Sequence, residues 1–352
     1  MIRETGYNTY MEKKRRICVI FTGGTIGSAV KAGTVDLDGG SRAALIGEYR
    51  RRTGAEIVFD ELRPVEMLSE NVRADDLAKI AETLRGVRFE DYDGVIVTHG
   101  TDTLCFTANY FSRIFCDAPV PIVFVSALFP LSDPRSNGHD NFAGAVSFIE
   151  SADYGGVFVA FANPHEPCRI HLASRLVTAT QLVGAYYSLA DAYFGTIENG
   201  RFKHNDAANV PTEERLRADK RVAAGAGLCT DVVSLRARAL LDFSYYCFDI
   251  HKPCAVVTEL YHSGTICTAG EETSFIRFRE YCAKLGVTVV LSPVGSRANL
   301  YASAKDLSEG CLIAYDESYG MTLVKVMSAL YAGDDLQAAL AENRFYEKVL
   351  SV

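Results

Sequence analysis

The sequence predicts an α/β protein: a doubly wound, mostly parallel sheet in an N-terminal domain and a smaller α/β C-terminal domain. Three observations carry this. Short buried-strand runs such as the wholly apolar residues 17–21 and the run over 93–98 alternate with stretches of helical period such as 74–85, the pattern of βαβ units. The alternation lapses over residues 205–250 and resumes at Cys254. At 352 residues the chain has room for two cores. The expected division is an N-terminal domain over 15–204, a linker region over 205–250 and a C-terminal α/β domain over 251–352.

Taken in order, residues 17–21 are β-branched and apolar, as expected for a buried parallel strand. They run into Thr22-Gly23-Gly24-Thr25, where two glycines permit a sharp turn and a backbone surface free of side chains. Thr25 then stands beyond the carboxyl end of a central strand, where open α/β sheets bind ligands. No Walker lysine follows Thr25 and no G-x-G-x-x-G spacing occurs, which disfavours a phosphate or dinucleotide site. Residues 27–40 are rich in glycine and small side chains and read as a mobile loop over the strand end. Residues 56–62 read as a strand, and 74–85 as a helix with Leu77, Ile80 and Leu84 on one face. Strand 93–98 leads into His99-Gly100-Thr101-Asp102-Thr103, which repeats the design of strand, glycine and threonine. Then follow a helix over 104–115, a strand over 120–126, a helix over 141–150, a strand over 157–161 and a hairpin over 162–178. The linker is placed near 205–225, with a surface hairpin as the alternative. Beyond it, strands are expected over 255–260, 287–291 and 312–315, and helices over 273–285 and 321–330. His262 reads as a loop histidine.

TGGTI near the N-terminus, followed by HGTDT roughly seventy-five residues later, resembles the bacterial-type L-asparaginase family of threonine amidohydrolases. The resemblance is clear from about Ile17 to Thr178. It implies that Thr25 attacks the side-chain amide, that Thr101 and Asp102 belong to a proton relay, and that Asp102 also pairs with the substrate's α-ammonium. It implies that Gly24, Ser69, Glu70, Gly100 and Ala127 bind substrate, Ser69 holding the α-carboxylate and backbone N–H groups near Thr101 and Ala127 the oxyanion. No cofactor and no metal are implied. The expected partners are a small-molecule amino-acid amide and further copies of the chain, as a homodimer or homotetramer.

Three positions depart from the family pattern. The lid tyrosine expected ten to thirteen residues past the nucleophile is absent: Val35 to Asp38 fill that window, and the next tyrosine is Tyr49, on the following helix. In the R-x-x-K motif Arg175 is kept, but Thr178 replaces the lysine, and no lysine occurs between Lys79 and Lys203. Asn137 replaces the usual aspartate. A threonine cannot serve as the base a buried lysine provides, and Arg175 reads as part of a structural ion pair. The departures leave three readings open: a weakened asparaginase, an amidohydrolase retuned to another substrate, and a non-catalytic amino-acid binder. The amide-hydrolysing subunit of a glutaminyl-tRNA-forming complex carries the same two motifs. An extra N-terminal domain of the kind such subunits carry is not expected here, and the acidic balance argues weakly against tRNA, so that reading is disfavoured.

A net charge of −8 argues against general nucleic-acid affinity. Ten cysteines without CxxC spacing read as free thiols in a reducing, cytoplasmic setting. No apolar run approaches membrane-spanning length.

Overall fold

The computed structural model describes residues 14–24, 26, 28–31, 34–37, 39–296 and 306–349, with side chains from residue 44 onward and in the 14–24 and 26 positions. Its larger sheet is built from β1 (Arg16–Phe21), β4 (Val58–Leu62), β5 (Gly94–Thr98), β6 (Pro121–Val125), β7 (Gly156–Ala162), β8 (Cys168–Leu172), β9 (Gly195–Glu198) and β10 (Arg201–His204). Their order is β10-β9-β8-β7-β6-β5-β1-β4. The strands from β7 to β4 run parallel, whereas β8, β9 and β10 return antiparallel at one end.

The continuous apolar runs follow from burial on both faces. Ile17, Val19, Ile96, Val123 and Phe158 point into one core, shared with α1 (Gly39–Thr53) and α4 (Gly138–Ser151). Cys18, Ile20, Val95, Val97 and Phe124 point into the other, against α2 (Ala74–Gly86) and α3 (Leu104–Ile114). Pro121 is tolerated because it opens its strand. Asp76 caps α2 by accepting the Arg73 N–H at 3.1 Å.

Two stretches differ from expectation. The loop over 27–40 includes a hairpin, β2 (Ser28–Lys31) against β3 (Thr34–Leu37). Tyr49 lies on α1 as expected and packs edge-on against Phe59 and Phe142 at 5.7 Å, inside the core. Within 205–250 lie the short helix α5 (Glu213–Ala218) and β11 (Val232–Arg236), the first strand of the second sheet.

That second sheet runs β11-β12-β13-β14, all parallel, with β12 at Ala255–Glu259, β13 at Thr288–Val294 and β14 at Leu312–Tyr315. The helix α6 (Phe275–Leu285) covers one face. On the other, α7 (Tyr319–Ala332) carries Val324 into the α2–α3 core of the first sheet. The chain then passes through α8 (Leu336–Ala341) and returns to the first domain. There Phe345 joins the α1–α4 core, 5.7 Å from Phe158, and its carbonyl accepts from Ser174 Oγ at 2.6 Å. Among the described residues no helix is long and apolar enough to cross a membrane.

Candidate active site

Three neighbouring strands deliver the site. At the ends of β1 and β5, Phe21 is paired with Thr98. Thr22 Oγ1 donates to the Thr98 carbonyl at 2.6 Å, and the Thr22 N–H reaches Thr98 Oγ1 at 3.3 Å. The two glycine–threonine turns therefore leave the sheet side by side. On the other side of β5, the His99 N–H bonds the Val125 carbonyl at 2.9 Å, which places the end of β6, and Ala127 beyond it, next to the HGTDT turn.

Glycine is required at two of these positions. Gly24 has φ +76°, and a Cβ there would stand 2.3 Å from the Gly100 nitrogen. A Cβ on Gly100 would stand 2.3 Å from Ser69 Oγ. The Gly24 and Gly100 backbones and the Ser69 side chain thus converge more closely than any further side chain allows. A third segment closes the group, because Gly24 N–H donates to the Met67 carbonyl and Met67 N–H to the Thr22 carbonyl, both at 3.0 Å. This brings up Ser69, which is buried. Ser69 Oγ donates to Asp102 Oδ2 at 3.1 Å and accepts from the Asp102 N–H at 3.3 Å, while Thr103 Oγ1 donates to the Ser69 carbonyl at 2.9 Å. Asp102 keeps an exposed carboxylate, and Glu70 stands exposed beside Ser69 on the same short turn.

Gly24, Ser69, Gly100, Thr101, Asp102 and Ala127 are thus gathered at one sheet edge, and Glu70 lies at its rim. Thr25 lies outside the described residues, between Gly24 and Ile26, both of which are buried. Of the lid window, the backbone of Val35 to Leu37 lies in β3, and Asp38 lies outside the described residues.

Further residues position this edge, and for Tyr186 and Asn163 the sequence offered no signal. Tyr186 is fully buried, and its hydroxyl donates to the Thr101 carbonyl in a short contact. Burial, with Cys105 and Asp102 nearby, holds that phenol well above its ordinary range. Asn163 fixes the Tyr186 backbone by donating to its carbonyl and accepting its N–H, each at 2.9 Å. Asn137, in the place of an aspartate, both accepts the Leu128 N–H and donates to the Ala162 carbonyl at 2.8 Å. An ionised carboxylate could make only the first of those bonds.

Thr178 is exposed and lines a cleft of about 700 Å³, together with Arg236, Glu259, Ser318 and Tyr319. Two residues before it, the Leu176 carbonyl accepts from the Cys105 thiol on the first turn of α3 at 3.2 Å, and burial pushes that thiol up to about 12. Arg175 corrects an expectation. It enters no ion pair among the described residues; instead its guanidinium donates to the carbonyls of Tyr346 and Asn209 at 2.5 and 2.7 Å.

Residues 16–209 match the family model described as Asparaginase, N-terminal. The chain belongs to the asparaginase family. Two curated relatives are the L-asparaginase of Thermococcus kodakarensis, 31% identical over 153 residues, and L-asparaginase 1 of Escherichia coli, 30% identical over 154. These matches span 42% and 43% of this chain and only 44% and 45% of those proteins. A glutamyl-tRNA(Gln) amidotransferase component from Haloquadratum walsbyi is 29% identical, over 93% of this chain and 74% of its own length. Among solved structures, the thermostable L-asparaginase of T. kodakarensis superposes with a TM-score of 0.75 at 23% identity. That match covers 96% of this chain and all of the other. L-asparaginase I of Vibrio cholerae gives 0.74 at 19% identity, also over 96% of this chain and all of the other. These likenesses establish the asparaginase fold, with its two α/β units.

The asparaginase-family core carries two fully buried histidines. His99 Nδ1 contacts the Gly100 carbonyl at 2.8 Å, and burial pushes this ring down to about 4. His171 Nδ1 contacts Ser188 Oγ at 2.8 Å, and burial with Arg169 pushes it down to about 3. Both rings are neutral in the fold and gain protons on unfolding once the pH drops below about 6.5. Stability is therefore fully present above that pH and falls as the pH descends toward 4, by about 1.4 kcal/mol per pH unit for each histidine. Urea midpoints at a series of pH values should show this slope, and His171→Gln should make it shallower. A midpoint independent of pH across that window would show that neither ring resists its proton.

Proposed function

We propose that this asparaginase-family protein is an amidohydrolase. It cleaves the side-chain amide of L-asparagine, or a related ω-amide, to the acid and ammonia through a threonine acyl-enzyme. The observation that carries the reading is the Ser69–Asp102 pair, set against the Gly24–Gly100 backbone contact. A carboxylate and a hydroxyl held together beside two turns rich in N–H groups suit an α-ammonium, an α-carboxylate and a developing oxyanion. Thr25 is the proposed nucleophile, and Thr101 with Asp102 its proton relay. Assembly of the chain with itself, as a dimer or tetramer, belongs to the same proposal.

The test is ammonia release from a panel of ω-amides that includes asparagine and glutamine. No ammonia from any of them would reject the reading. Asp102→Asn should weaken aspartate binding about tenfold or more, because the charge facing the α-ammonium is lost. Thr101→Ser keeps a hydroxyl and should weaken it less. Equal affinities in the two variants would remove Asp102 from substrate binding.

A second reading, a weakly active or non-catalytic amino-acid binder, draws on Thr178. Because Thr178 faces an open cleft, a lysine can be accommodated there. On the amidohydrolase reading Thr178→Lys restores a base beside the HGTDT turn and raises the rate about tenfold or more, within the range of general-base catalysis. A fall in both rate and ligand affinity would instead point to a pocket rebuilt for a bulkier substrate.

A further inference from the structure

Arg175 belongs to a second cleft, away from the strand ends. This cleft, of about 650 Å³, opens between the loop at residues 208–211 and the returning segment at 343–349. It has the size of a small-molecule site. Arg175 lines it at 3% exposure. Of its five donors, Nε goes to the Tyr346 carbonyl and Nη1 to the Asn209 carbonyl, with Nη2 at 3.5 Å from the Lys348 carbonyl. All three acceptors are neutral. Among the described residues no carboxylate stands within ion-pair distance of it. Glu347 acts on it electrostatically, but the Glu347 oxygens are held by Lys325 at 3.3 Å and by the N–H groups of Arg344 and Phe345.

The second cation of the cleft makes the imbalance larger. Arg215 lines the same cavity, stacks over the Tyr346 ring at 5.4 Å, and repels the Arg175 charge. Among the described residues its acidic ion-pair partner is Asp219 at 3.6 Å, to which Tyr346 also donates. Lys348 adds a third positive charge, although its amine is engaged by Glu317 at 3.6 Å and by two carbonyls. Burial and Arg215 together push the Arg175 guanidinium down to about 10. A buried cation with neutral acceptors and a like-charged neighbour is costly until an anion joins it. Asn209 adds an amide to the wall, and Val210 and Pro211 an apolar patch.

We propose that this cleft binds a small organic anion, its carboxylate or phosphate group held between Arg175 and Arg215 and its carbon skeleton against Val210 and Pro211. The forked guanidinium suits either head group. Because Arg175 stands three residues before Thr178, an occupant would also stiffen the segment that reaches the candidate active site.

The test is the thermal midpoint and calorimetric titration of the full chain with phosphate, with a phosphate monoester such as glycerol phosphate, and with succinate. Sodium chloride at matched ionic strength is the control. A rise in midpoint above the chloride control at about 10 mM anion is expected, and the arm that produces it identifies the head group. Arg215 is 63% exposed in its side chain, so Arg215→Gln should fold normally and weaken that binding about tenfold. No response to any of the three anions would overturn the proposal, and so would a response unchanged in Arg215→Gln. Ammonia release plays no part in the readout, so the outcome is independent of the amidohydrolase reading.

Discussion

Thr25→Ala is expected to lower ammonia release by roughly 10⁴-fold or more, the scale on which removing a covalent nucleophile acts, while the protein stays folded. The neighbours of Thr25 explain why stability should survive. Gly24 is pinned to Met67 through its N–H, and Ile26 is 1% exposed within the α1–α4 core. The backbone is therefore anchored on both sides without the hydroxyl, and a small side chain is lost from a strand end. Aspartate affinity should change little, because the Ser69–Asp102 pair remains. Near-parental activity in a folded variant would reject the proposed nucleophile role of Thr25.

Lys325→Met should cost roughly 3–5 kcal/mol, the range for removing one partner of a buried ion pair. The Lys325 ammonium is wholly buried on α7. It bonds Glu317, stands 3.3 Å from Glu347 and donates to the Glu342 carbonyl at 2.7 Å. Both acids are 1% exposed or less. Burial already raises the Glu317 carboxyl, and Lys325 is the main influence opposing that rise. Without the lysine, Glu317 should take up a proton more readily still. The variant should accordingly lose less stability in mild acid than at neutral pH, where the buried Glu317 carboxylate keeps only the longer Lys348 contact at 3.6 Å as an ion pair among the described residues. Urea denaturation at both pH values checks this, and a loss below about 1 kcal/mol at neutral pH would show that the cluster does not hold the segment.

Much of this architecture was legible in the residues themselves, for a physical reason. Strands buried on both faces must be apolar throughout, so β1, β5, β6 and β7 announce themselves as short continuous runs. The two glycine–threonine turns were equally legible, because the close approach of Gly24 to Gly100 admits no side chain. What was hidden depends on distant chain. Tyr186 and Asn163 act on Thr101 from 85 and 62 positions away, in stretches without periodicity. β11 sits at a sheet edge with mixed burial, so its pattern is broken. Arg175 looked like half of an ion pair, since a lone arginine in sequence gives no hint that carbonyls of residues 209 and 346 will receive it.

The return of residues 343–349 to the first domain also bears on how the chain is made. Phe345 completes a core whose other members lie mostly before residue 220, and Ser174 and Arg175 bond carbonyls of the same segment. During synthesis the N-terminal sheet emerges from the ribosome long before this plug does. It must wait with an apolar gap beside Phe158, open to chaperones or to premature association. Chains cut short before residue 343 would carry both motif turns yet lack the piece that seals the core behind them, and would bare the apolar face of that core to other chains.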